Sequence, residues 1–153
     1  MKKNLLISLL LSSLLTFNVF AAGSSDSGSS KTKTQYDMAV SHINAAKKFE
    51  KNDKLKKAKK RYEKAQKLLI QSNEKFPNKA NTLNYLGFTT RKLGDYDNGE
   101  KYYLQGLAID PNHKGINEYL GELYVATNRH NLAVERLEVL KNCNCKEYKD
   151  LKL

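Results

Sequence analysis

From Tyr36 onward the apolar residues recur at three- and four-residue steps, which predicts helices and no sheet. Met38, Ile43, Ala46 and Phe49 form a first stripe, and Leu55, Ala58, Tyr62, Ala65, Leu69 and Ser72 a second. Lys51-Asn52-Asp53-Lys54 separates them, and Asn and Asp suit turns and caps. Leu83, Leu86, Gly87, Thr90 and Leu93 mark a third helix that should stop at Gly94, a residue suited to a left-handed cap. Asp95 can cap a fourth helix carrying Tyr96, Gly99, Tyr103 and Leu107, which Pro111 ends. Ile116, Tyr119, Leu120, Leu123 and Tyr124 make a fifth, closed by Asn128 as Gly94 closes the third. Leu132, Ala133, Arg136, Leu137 and Leu140 make a sixth, and Lys146 to Leu153 a short last one. No alternating run and no Asn-Gly hairpin signal competes with this reading.

Shifted by 34 residues, the chain meets itself. Asn84-Tyr85-Leu86-Gly87 falls on Glu118-Tyr119-Leu120-Gly121, and Phe76-Pro77-Asn78-Lys79 on Asp110-Pro111-Asn112-His113. Tyr62 falls on Tyr96, Ala65 on Gly99, Leu69 on Tyr103 and Gly94 on Asn128. Each unit reads helix, tight turn, helix, breaker. One such unit cannot bury its own apolar face, so neighbours must stack. Gly87 and Gly121, having no side chain, let two helices approach closely. Gly99 and Gly106 each weaken their helix by about 1 kcal/mol against Ala, which predicts modest stability.

These residues resemble the tetratricopeptide repeat. That family has a large residue, Leu-Gly and Tyr on its first helix, small and aromatic positions on its second, and a closing Pro. Residues 80–113 match through Leu83, Leu86, Gly87, Gly94, Tyr96, Gly99, Tyr103, Gly106 and Pro111, with Thr90 in place of the Tyr. Residues 114–145 match through Leu120, Gly121, Tyr124, Ala133 and Leu137, with Cys145 in the register of the Pro. Residues 36–79 form a degenerate copy: Tyr62, Ala65, Leu69 and Pro77 fit, but Asn52-Asp53 stands where Leu-Gly would. The resemblance implies an all-α fold, a right-handed superhelical stack of antiparallel helix pairs over 35–153, with 146–153 as a capping helix. It also implies a concave groove lined by the first helix of each repeat. Carried over by position, the groove residues are Asn81, Asn84, Tyr85, Phe88, Arg91 and Lys92, then Glu118, Tyr119, Glu122 and Val125. Tyr85 and Tyr119 can equally pack between repeats. They also stand where the family's carboxylate clamp would want Asn and a cation, which argues against recognition of a free C-terminus.

Residues 1–21 add a different signal. Lys2 and Lys3 precede an apolar run from Leu5 to Phe17, and Val19-Phe20-Ala21 offers Val at −3 and Ala at −1. This is the pattern of a cleaved export signal of bacterial type, and the periplasm is the expected destination. The alternative is a retained anchor, for which the run is short. Nothing in the mature part is long and apolar enough to span a bilayer. Residues 22–34, rich in Gly, Ser, Thr and Lys, read as a flexible linker.

Charge divides the rest. Residues 31–79 carry 15 Lys and Arg against 5 acids, and residues 80–153 carry 10 against 10. The excess centres on Lys54, Lys56, Lys57, Lys59, Lys60, Arg61, Lys64 and Lys67. Such a face is either a solvated surface or a docking site for anionic lipid, envelope polymer or an acidic partner. Nucleic acid would suit the charge but not an exported chain. Cys143 and Cys145 read as a structural disulfide pinning the last turn, with intermolecular pairing or free thiols as alternatives. His42, His113 and His130 are scattered. No catalytic order, phosphate loop or metal-ligand set appears, so neither catalysis nor a cofactor is expected.

Two functional readings follow. The first is a non-catalytic scaffold or adaptor holding a protein segment in the groove. The second is a cationic module binding anionic lipid or envelope polymer through residues 54–67. Mass spectrometry of the exported protein should find Ala22 at the N-terminus, and a chain still beginning at Met1 would mean a retained anchor.

Overall fold

The structure, a computed structural model, describes residues 33–152. The leader and the linker up to Thr32 lie outside the described residues. Seven helices follow among those described: α1 (Gln35–Lys51), α2 (Leu55–Lys75), α3 (Ala80–Lys92), α4 (Tyr96–Ile109), α5 (Lys114–Ala126), α6 (His130–Leu140) and α7 (Lys146–Leu151).

Local chemistry sets the ends. Thr34 closes the linker and opens α1 through a capping box: its Oγ1 accepts from the Asp37 amide at 3.1 Å, and Asp37 Oδ2 accepts from the Thr34 amide at 3.0 Å. Asp95 caps α4 by accepting from the Asn98 amide at 3.1 Å. The chain leaves α1, α2, α3 and α5 through left-handed residues, at Asp53, Asn78, Gly94 and Asn128, and takes the same conformation at Asn144 before α7. The turn before α7 is closed by a Cys143–Cys145 disulfide across Asn144, with Cα atoms 5.1 Å apart.

Helices pair as α1–α2, α3–α4 and α5–α6, and among the first helices α3 also touches both α1 and α5. Small residues decide how closely they approach. In the first pair, Ala39, Ile43 and Ala46 on α1 meet Ala58, Tyr62, Ala65 and Leu69 on α2, all fully buried. In the second, the Tyr103 ring of α4 lies over Gly87 of α3, so close that a Cβ there would fall 2.5 Å from the ring. Ile116 of α5 likewise fills the space over Gly106 of α4. At Gly121 the position is taken by Leu151 of α7, so the last helix packs on α5 and covers the end of the stack. Helix α7 ends at Leu151, before the expected 153.

Three residues of the expected stripes stay outside the core. Met38, Leu55 and Tyr96 are exposed. Helix α2 runs 21 residues, longer than the 14 of α4 and 11 of α6.

Gly87→Ala should destabilise the fold. The gain in helix propensity is about 1 kcal/mol, whereas overpacking against a fixed ring costs about 1–3 kcal/mol. Gly94 has φ +98° and open space around it, so Gly94→Asn should change stability far less. Urea midpoints for the two variants check the order.

A candidate interaction face on the first helices

The face where α1, α3 and α5 meet carries aromatic rings bridged by cations. Tyr36 of α1 and Tyr85 of α3 have ring centroids 5.9 Å apart. Phe88 of α3 lies 4.8 Å from Tyr119 of α5 and packs edge-on against Tyr62 of α2 at 5.7 Å. Lys47 crosses from α1: its Nζ donates to the Tyr119 hydroxyl at 3.0 Å and stands 4.6 Å from the Phe88 ring centre. A cation over ring faces gains from their quadrupoles, and more when partly desolvated. Lys47 has no carboxylate within ion-pair distance among the described residues, so the rings and one hydroxyl are its neighbours.

Other polar groups are tied in pairs. Arg91 binds Glu122 at 2.5 Å, bridging α3 to α5, and its guanidinium faces both Phe88 and Tyr119. Lys92 binds Glu50 at 2.8 Å, and Glu50 also accepts from the Tyr62 hydroxyl at 2.9 Å. Burial pushes the Tyr36 and Tyr119 hydroxyls up to about 12, assisted by Tyr85 and by Glu118 respectively. All these hydroxyls stay protonated as donors at neutral pH.

A family profile described as tetratricopeptide repeat matches residues 80–113. No curated protein matches the chain. Solved structures do. The first tetratricopeptide domain of Spaghetti (RPAP3), bound to an HSP90 peptide SRMEEVD, superposes with TM-score 0.53 at 15% identity, over 76% of this chain and 89% of that one. The second domain of the same protein, with the same peptide, gives 0.50 at 17% identity, over 69% and 92%. The type III secretion translocator chaperone SycD of Yersinia enterocolitica gives 0.54 at 19% identity, over 75% and 83%. Residues 80–113 form one tetratricopeptide repeat, and the described helices share the fold of these repeat domains.

On the tetratricopeptide-repeat frame the groove positions separate into open and closed ones. Asn81 is exposed, and its Oδ1 lies 2.8 Å from His113 Nε2. Tyr85, Tyr119 and Glu122 are half-buried, with Tyr85 and Tyr119 each packed against the neighbouring helix pair. Lys92 is exposed but paired. Three expected groove residues are closed: Phe88 is wedged between Tyr62 and Tyr119, Asn84 is covered by the start of α5 near Gly115, and Glu118 is buried close to the charges of α7. Val125 sits half-buried beside Leu151. Arg91 is a structural bridge rather than a free arm.

The sequence pattern passed over three residues. Tyr36 and Lys47 lie on the degenerate first repeat, where no Leu-Gly pair marked the register of the face. His113 stood out only as one of three scattered histidines. Its Nδ1 accepts from the Ile116 amide at 3.1 Å, so it caps α5 while also reaching Asn81. Burial lowers its basicity, which suits the neutral ring that such a cap requires.

Helix α2 presents its cations on two ridges. Lys57, Lys60, Arg61 and Lys64 flank α1 around Phe49, while Lys56 and Lys59 turn towards Lys92. Among the described residues, no group of His, Cys, Asp and Glu could hold a metal ion. No helix there is long and apolar enough to cross a membrane.

Burial, with help from Glu122 and Asp150, raises Glu118 from 4.5 to about 7. Between those values the folded chain keeps a proton that the unfolded chain has lost. Stability therefore falls as pH rises across that window, and the deficit persists above it. Glu118→Gln should raise the denaturant midpoint at pH 8 and leave it nearly unchanged at pH 5. An equal effect at both values would show that charge burial is not the cause.

Proposed function

We propose that this chain is a non-catalytic scaffold that holds a protein segment along the face of α1, α3 and α5. The observation that carries the proposal is the row of Tyr36, Tyr85 and Tyr119 with Lys47 laid across it, spanning three successive first helices. Tyr side chains give large contact area with few rotors to freeze, and hydroxyls and cations give direction to polar contacts. At one end of the face a cleft of about 270 Å³ lies between Tyr36, Phe76 and Asn81, with Phe76 exposed beside it. That is room for one apolar side chain of a bound segment. The peptide complexes of the Spaghetti domains and the chaperone name of the SycD structure support this reading, because both use the same fold. Export through residues 1–21 belongs to the proposal and places the partner in the cell envelope.

A displayed library of random peptides selected on residues 33–153 tests it. Tyr36→Ala and Asn81→Ala, both at the cleft, should weaken the selected peptides about tenfold, as loss of one good anchor does. Leu104→Ala, exposed on α4, should leave them unchanged. Selected peptides that bind all three variants like the parent would remove the face from the mechanism.

A further inference from the structure

The α1–α2 edge holds a second concavity that shares no residue with the peptide-binding face. It has a volume of about 350 Å³ and is lined by Phe49, Lys57, Lys60, Arg61 and Lys64. Four cations converge there at i, i+3, i+4 and i+7, one face of a helix. None is within ion-pair distance of a carboxylate among the described residues. Several cations elsewhere are compensated, Arg91, Lys92, Arg129, Lys141 and Lys146 each having an acidic partner, whereas Lys47, Lys56, Lys59 and Lys67 have none among the described residues but do not converge on one cleft. In this cleft four cations of the basic stretch line one concavity with no carboxylate among them, unlike the neighbouring hollow at Lys56 and Lys59, which includes Glu50.

One of the four is oriented. Arg61 Nη1 donates to His42 Nδ1 of α1 at 3.0 Å, which fixes the guanidinium at the rim beside Lys57 and Lys64. Phe49 supplies an apolar wall, with Lys57 Nζ 6.0 Å from its ring centre.

We propose that this cleft binds a phosphate group. A carboxylate would satisfy one of four converging charges. A phosphate brings close to two negative charges and three acceptor oxygens, and can take a guanidinium edge and two or three ammonium groups together. The volume exceeds that of one phosphate, so there is room for a group carried on a larger molecule to seat against Phe49 and Arg61. A phospholipid headgroup and a soluble phosphorylated anion offer the same chemistry.

His42 gives the site a reporter. Burial, Arg61 and Lys64 lower its basicity in the free protein. An anion seated among those cations offsets their field, so the His42 titration moves up on binding, while that of His113, outside the cleft, does not follow it. Proton NMR of the three imidazoles, with and without sodium pyrophosphate at low ionic strength, reads this directly.

Two charge-matched variants decide between a site and a merely basic surface. Lys57→Gln/Lys60→Gln/Lys64→Gln removes three charges from the cleft, and Lys56→Gln/Lys59→Gln/Lys67→Gln removes three from α2 outside it. All six side chains are exposed, so the helical circular dichroism should survive in both. Calorimetric titration with pyrophosphate should show affinity falling tenfold or more in the first variant, and by no more than a few-fold in the second. Co-sedimentation with phosphatidylglycerol vesicles against phosphatidylcholine ones separates the sources. Binding to pyrophosphate and vesicles alike points to a headgroup, and binding to pyrophosphate alone points to a soluble anion. Equal losses in the two variants, an unmoved His42, or polyglutamate binding as tightly as pyrophosphate would each overturn the proposal.

Discussion

The fold depends on places where a side chain is missing. Two helices, within a pair or between pairs, can come close only if one surface is flat enough to admit a large group from the other. Gly87 does this for Tyr103, Gly106 for Ile116 and Gly121 for Leu151. The first pair reaches the same end with Ala39, Ala46, Ala58 and Ala65, which leave space for Tyr62 and Ile43. Each contact sets the separation of two helices, and so sets which residues of α1, α3 and α5 stand side by side. The aromatic row across those helices is a product of the spacing beneath it.

Much of this was legible in the sequence because stacking is periodic. The offset between Leu86-Gly87 and Leu120-Gly121 located the pairs, and Asp95, Gly94 and Asn128 placed the boundaries through their own backbone chemistry. What escaped depends on contacts between units. Nothing local says that Phe88 will be closed off by Tyr62 and Tyr119, or that Glu118 will be buried near α7. Lys47 was invisible for another reason. The first repeat keeps the helix pattern but lacks the motif, so its residues could not be laid in register with the face they join. His113 shows the same limit, since a capping histidine differs from a turn histidine only in what its two nitrogens reach.

Polar groups are distributed in two ways. On the inner face, Arg91, Lys92, Glu50 and Glu122 are consumed in pairs that tie one helix pair to the next. On the α2 edge the cations meet no acid and repel one another. Like charges at i, i+3 and i+4 oppose helix formation by a few tenths of a kcal/mol per pair. Helix α2 tolerates this because Ala58, Tyr62, Ala65 and Leu69 anchor its opposite side.

Helix α7 is six residues long, too short to persist by itself in water. Its order is borrowed from the Gly121 seat through Leu151, and its freedom is limited by the ring that Cys143 and Cys145 close just before it. The stack is therefore polar in the mechanical sense. It has a heavy end, where helices of 17 and 21 residues interlock, and a light end that unfastens first. Thermal opening should travel from α7 inward, leaving α1 and α2 as the last part of the chain to lose its shape.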